Sequence, residues 1–229
     1  AFFKEMLSTL TIWAVLVAAF GSYGGISPLF LFQTTILKRS LKLTNRETCL
    51  VAFVTSLMHL VFKGLACLIF FKGGGNPTWR MKCGNFAACG FTGLMFLAVA
   101  SGRFEDKYVI AGILGFAQAF AGFSYSAFHN AAMVVNNQYS WMFMVCFLSM
   151  SIFTSIFEPV LIARFASDHT WSQWRVLIVF HGILLIFSNV CYYFAVDARS
   201  TKIAGNAVKF RKSSDNDMVE LPPPNEMAD

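Results

Sequence analysis

Long apolar runs, cut at intervals by short polar segments, dominate this chain. No charged residue occurs from 6 to 37, and none from 108 to 157. The second of these gaps holds two apolar helices of about 20 residues and a short connection, and that helix length is what a crossing of the hydrocarbon core requires. A membrane β-barrel would show alternating segments of about ten residues, a pattern absent here. With charges and turn formers as boundaries, six spans are expected at about 11–33, 49–70, 83–101, 108–128, 140–162 and 175–196.

The connections fit this division. Lys38, Arg39, Lys42 and Arg46 mark the first loop, and Gly73-Gly74-Gly75-Asn76-Pro77 is a turn cluster in the second. Residues 103–107 form a tight third. The fourth connection is expected at 129–139, uncharged but carrying Asn130, Asn136 and Asn137, and the fifth contains Arg164, Asp168, His169 and Trp174. After Asp197 the composition turns to Lys, Ser, Asp and Pro, ending in Pro222-Pro223-Pro224. Such a segment buries too little apolar surface to fold alone. The expected division is therefore a bundle over residues 1–199 and a disordered tail over 200–229.

Composition sharpens the membrane assignment. Apolar residues make up 56% and charged residues 13%, against averages of about 45–50% and about 25% in soluble domains. The net charge of +6 comes from basic residues in short loops, with no basic stripe, so no nucleic-acid partner is expected. The opening residues lack the basic, apolar and small-residue arrangement of a signal peptide. Cys49, Cys67, Cys83, Cys89, Cys146 and Cys191 show no C-x-x-C spacing and are read as small buried apolar residues rather than zinc ligands. No catalytic motif is present, so neither an enzyme nor a cofactor or metal site is expected.

Polar residues inside the spans carry the functional signal, because each is costly in hydrocarbon and serves either helix packing or a pathway. Thr55, His59 and Lys63 share one face of the second span, and Gln118, Gly122, Tyr125 and His129 one face of the fourth. Ser151, Thr154 and Glu158 do so in the fifth, and His181, Ser188 and Tyr192 in the sixth. Together these stripes favour a shared polar interior. Glu158, six residues before Arg164 and beside Pro159, reads as an interfacial ion pair or cap, and His59 and His181 read as partners of neighbouring helix carbonyls ahead of substrate contact. Gly21, Gly24, Gly25 and Pro28 are expected to interrupt the first span, as a hinge beside a transport site or as a packing kink.

A family resemblance enters at the start of the chain. Phe3-Lys4-Glu5-Met6-Leu7-Ser8, Trp13-Ala14 and Ala19-Phe20-Gly21 resemble the start of the seventh helix in the anion-transporter family of sodium/phosphate cotransporters, sialin and vesicular glutamate transporters. Arg80 and Lys82 followed by Gly84 and Phe86 are similar to the basic pair before its ninth helix. Pro159 falls where the eleventh helix has a proline, and Trp174-Arg175-Val176-Leu177 through Tyr192-Tyr193-Phe194-Ala195 looks like the twelfth. The resemblance covers about residues 3–205. Two family acids are missing, one in Lys63-Gly64-Leu65-Ala66-Cys67 and one at Val134, and Asn137 stands in place of a proline.

The resemblance implies an all-α membrane protein, six transmembrane helices forming the C-terminal half of a major facilitator fold, with the N-terminal six-helix half as its partner. In that fold the first, second, fourth and fifth helices of a half line the cavity. It implies secondary active transport of small organic or inorganic anions by alternating access, coupled to a proton or sodium gradient. Tyr23, Ser27, His59, Lys63, Gln118 and Tyr125 are the expected substrate-binding residues. They would supply hydrogen bonds and, at Lys63 or a protonated His59, charge compensation. The termini and tail would be cytosolic, in the plasma membrane or a lysosomal or vesicular membrane. Loop charges by themselves do not orient the chain. The missing acids motivate a second reading, a transport-inactive receptor or scaffold that keeps the fold.

Overall fold

The computed structural model describes residues 9–72, 76–135 and 140–197, apart from the side chains of 70–72, 125, 126, 134 and 135. Residues 3–8 of the resemblance, the glycines 73–75, the connection 136–139 and the tail 200–229 lie outside the described residues. The described residues are helical, with no strand among them. Among the described residues, six helices are long and apolar enough to cross a membrane: Leu10–Ser40, Asn45–Ile69, Pro77–Ala100, Lys107–Met133, Ser140–Phe165 and Trp171–Ala195.

Most of these reach beyond the charge-based boundaries because polar residues cap their ends. Asn76 accepts a hydrogen bond from the Thr78 amide at 2.9 Å ahead of Pro77, and Asp106 accepts one from the Tyr108 amide at 2.8 Å. Thr44 and Glu47 form a capping box: the Thr44 amide donates to Glu47 Oε2 at 2.8 Å and the Glu47 amide donates to Thr44 Oγ1 at 3.3 Å. A charge that closes a helix end this way belongs to the helix.

The first span is the hub, packed along the sixth and the fifth. Gly21, Gly24 and Gly25 do not interrupt it: Leu10–Thr35 is one α-helix, followed by a π-helical turn at Ile36–Ser40. A Cβ at Gly21 would run into Ser188, and one at Gly25 into Leu185, so these glycines let the two helices approach closely. The third span meets the sixth in the same manner, where a Cβ at Gly93 would lie 2.9 Å from the Gly182 carbonyl oxygen. The second packs on the fourth.

The broken span is the fourth. Its α-helix Lys107–Phe120 gives way to a 3₁₀ segment, Ala121–Ser126, then a turn at Ala127, then the α-helix Phe128–Val135. Position 129, expected to open a connection, therefore lies inside a helix, and the spanning segment extends to Met133. The break falls where the second span comes closest: a Cβ at Gly122 would stand 2.6 Å from the His59 carbonyl oxygen and 2.9 Å from the Lys63 amide nitrogen.

Many large apolar side chains on the spans are exposed, among them Leu57, Leu60, Phe153, Ile156 and Phe187, as helices surrounded by hydrocarbon require. The second and fifth spans are the least covered, with 11% and 22% of their apolar windows buried. This also corrects the reading of the cysteines: only Cys89 is buried, while Cys49, Cys83 and Cys146 are exposed and Cys67 and Cys191 half-buried. An apolar side chain on a span has no need of the interior. Gly112 sits on such an open surface, with nothing near its missing Cβ. Gly112→Ala is expected to raise the unfolding free energy by about 0.5–1 kcal/mol through helix propensity, checked by thermal unfolding in detergent.

Candidate functional site

Four spans enclose a cavity of about 320 Å³ that opens at the protein surface. The volume suits a small ligand, near the lower end of the usual range of about 300–1,000 Å³. The first span lines it with Ser22, Tyr23, Ile26, Ser27, Phe30 and Leu31, which lie on one helical face. The second contributes His59 and Lys63, the broken fourth Ala121, Ser124 and His129, and the fifth Ser151, Thr154 and Ser155. The third and sixth contribute none of these lining residues.

Four of the residues expected from sequence thus meet in one cavity: Tyr23, Ser27, His59 and Lys63. Gln118 does not line it. Its side chain is buried, with no partner for Oε1 among the described residues, and its carbonyl oxygen accepts from His59 Nδ1 at 2.8 Å. A carbonyl only accepts, so the hydrogen of His59 is on Nδ1 and the contact fixes the ring. The side chain of Tyr125 lies outside the described residues. Thr55, the third member of the second-span stripe, is buried and accepts from Gln33 Nε2 at 2.8 Å, tying the first span to the second.

His129 enters the cavity because the fourth span breaks before it rather than at it. Its Nε2 lies 3.4 Å from Tyr23 Oη, and its ring packs edge-on against Phe147. Ser22, Ser124 and Ser155 were not singled out in the sequence, where isolated serines in apolar helices carry little signal. Ser151 and Thr154, from the fifth-span stripe, are the part of that wall legible in the sequence.

The electrostatics of the lining are one-sided. Lys63 is its one formal cation, accompanied by the imidazoles of His59 and His129, and no carboxylate is among the lining residues. No carboxylate forms a salt bridge with Lys63 among the described residues. A low-dielectric wall around an unneutralised ammonium and several hydroxyl donors holds an anion more readily than a cation.

Glu158 stands just behind this wall. Rather than capping the helix end, it is 2% exposed, buried on the same stripe as Phe143, Phe147, Thr154 and Ile162. Arg164, its expected partner, points outward. The Oε2 of Glu158 accepts from Ser27 Oγ at 3.1 Å and lies 3.2 Å from His181 Nε2. His181 is equally buried, and its Nδ1 donates to the Leu177 carbonyl oxygen at 2.7 Å. The sixth-span histidine and the fifth-span carboxylate are therefore one cluster, reached from the cavity through Ser27.

No protein-family model matches the sequence, and no curated protein matches it. The arrangement of the site itself carries the functional reading.

Proposed function

We propose that this chain is the C-terminal half of a secondary active transporter of the major facilitator type. It moves small organic or inorganic anions by alternating access, driven by a proton or sodium gradient. The observation that carries the reading is the cavity: it is lined by the first, second, fourth and fifth spans, the set that the family resemblance implies, and it presents Lys63, His59 and His129 without a lining carboxylate. The break in the fourth span supports it, since interrupted helices recur where transporters hold substrate. The sparsely covered second and fifth spans border the same cavity, and the N-terminal six-helix half is placed against them. The termini are assigned to the cytosol, in the plasma membrane or a lysosomal or vesicular membrane.

The test is uptake by the full-length protein in liposomes, against a panel of labelled anions, with imposed proton and sodium gradients. Gradient-dependent accumulation of at least one anion is expected. Binding without uptake would favour the transport-inactive receptor or scaffold, the reading that the missing acids near Lys63 and Val134 motivate. Lys63→Gln is expected to weaken anion binding by about tenfold to a hundredfold, the loss of one charge-assisted hydrogen bond of about 1.5–3 kcal/mol. A Lys63→Gln protein with unchanged affinity would remove this lysine from the site.

A further inference from the structure

Two members of the buried cluster stand immediately before prolines. Ser27 precedes Pro28 and Glu158 precedes Pro159, on facing helices. Proline has no N–H to reach back four residues, so the Gly24 carbonyl loses its main-chain donor. Ser27 Oγ lies 2.9 Å from that carbonyl oxygen and 3.1 Å from Glu158 Oε2. A hydroxyl has one hydrogen and serves these two acceptors in turn.

The histidine contact demands a proton as well. Nδ1 of His181 carries a hydrogen, because the Leu177 carbonyl can only accept. Between Nε2 and Glu158 Oε2, 3.2 Å apart, two bare lone pairs would repel. The contact therefore holds one proton, either on Nε2 or on the carboxyl. Glu158 Oε1 has no partner among the described residues, so nothing else compensates a charge there.

We infer that Glu158 and His181 form a proton-binding site whose occupancy sets the anion affinity of the cavity through the Ser27 hydroxyl. The inference deepens the transport reading above and rests on it. The step is a simple association: one proton from water adds to a carboxylate and a neutral imidazole, and the pair passes from one negative charge to none. On release the proton returns to water on the other side, and nothing is oxidised or reduced. With the pair negative, Ser27 is drawn to Oε2 and a charge stands directly behind the cavity, repelling an anion. With the pair neutral, the hydroxyl is free for Gly24 or for the anion. Proton and anion thus bind together, one to one, and move in the same direction.

The surroundings leave few competing groups. The first span has no charged side chain over Leu10–Thr35, and Tyr23 is its titratable group there. The helix Phe128–Val135 brings His129, and the second span brings His59 and Lys63 across the cavity. On the fifth span itself Arg164 is exposed, the sixth brings His181 and the buried Tyr192, and the third, packed on the sixth, brings the buried thiol of Cys89. Hard cations take shells of oxygen ligands, and an imidazole against Oε2 does not suit sodium.

The test uses the purified full-length protein and two readouts. Infrared difference spectra between about pH 5 and 8, the range in which an imidazole exchanges protons, are expected to show a carboxyl or imidazole signal that is absent from both Glu158→Gln and His181→Gln. In parallel, binding of sulfate and gluconate, whose own charge is constant over this range, is measured at the same pH values. The best-bound probe is expected to tighten by up to about tenfold per pH unit of acidification, as one linked proton requires. Glu158→Gln is expected to abolish that slope, and Ser27→Ala to keep the infrared signal while reducing the slope. Absence of any titration removed by both variants overturns the proton site. A pH slope that survives Glu158→Gln, or a sodium dependence in its place, overturns the coupling. If no probe binds the unaltered protein, the transport reading and the coupling fall with it, while the infrared result alone decides whether the proton site exists.

Discussion

Replacing His181 by alanine is expected to lower the stability of the purified protein by about 3–5 kcal/mol, the usual cost of removing one partner from a buried ionic pair. The reason is local. Both side chains are almost fully buried, at 1% and 2% exposure, and beyond His181 the one remaining partner of Glu158 among the described residues is the Ser27 hydroxyl. His181→Ala also empties the space between Leu177 and Glu158, which adds a cavity term. His181→Gln should restore part of the loss, because an amide N–H can donate to the carboxylate. The double variant Glu158→Gln, His181→Ala should be more stable than His181→Ala alone, since no carboxylate is then left behind. Reversible unfolding in mixed detergent measures all three. A loss below about 1 kcal/mol for His181→Ala, the level of an ordinary substitution, would mean that the pair is not the structural link between the fifth and sixth spans.

Gly21→Val should be nearly as damaging, by a different mechanism. Its new Cβ would meet Ser188 Cβ and Oγ at the crossing of the first and sixth spans. Overpacking usually costs about 1–3 kcal/mol, and a β-branched side chain with a stiff χ1 at a helix crossing belongs at the top of that range. The rescue is specific: Ser188→Gly removes both clashing atoms, so Gly21→Ala combined with Ser188→Gly should be close to Ser188→Gly alone. Gly21→Ala by itself should cost about 1–2 kcal/mol. Equal stability of Gly21→Ala with and without Ser188→Gly would show that the helices do not touch at this point. Gly112→Ala serves as the control, since its Cβ would enter open space.

The two substitutions mark what could and could not be read along the chain. The glycines of the first span read in sequence as an interruption, a hinge or a packing kink, because glycine weakens a helix. The structure keeps the helix unbroken and uses Gly21 and Gly25 for close approach to the sixth span. The actual interruption, at 121–126, has weaker local signals, and it coincides with the close passage of the second span beside Gly122, a distance between segments far apart in sequence. The capping box at Thr44 and Glu47 was legible, since Ser/Thr followed three residues later by Glu before an apolar run is a local signature. The charge-based boundaries passed over it by treating every charge as loop.

Glu158 illustrates the same limit for the site. Its spacing from Arg164 and its place near the end of the span suggest an interfacial residue, and helical geometry does place the two on different faces. Which face is buried depends on where the sixth span lies. The polar stripes on the second and fourth spans pointed to a shared interior, and the structure brings Tyr23, Ser27, His59 and Lys63 to one cavity. It turns Gln118 into a buried support whose carbonyl holds His59.

By itself the sequence determined that the chain is helical and that its helices are membrane-length, because apolar run length and the avoidance of charge answer to the thickness of the hydrocarbon alone. It also showed that polar residues on several of those helices line up on single faces. Only the tertiary structure decided which of these residues face one another. Helices in hydrocarbon are positioned by close contacts between small residues and by scarce hydrogen bonds. Whether Glu158 meets Arg164 or His181 depends on where a helix more than ten residues further along the chain packs, and no local pattern encodes that choice.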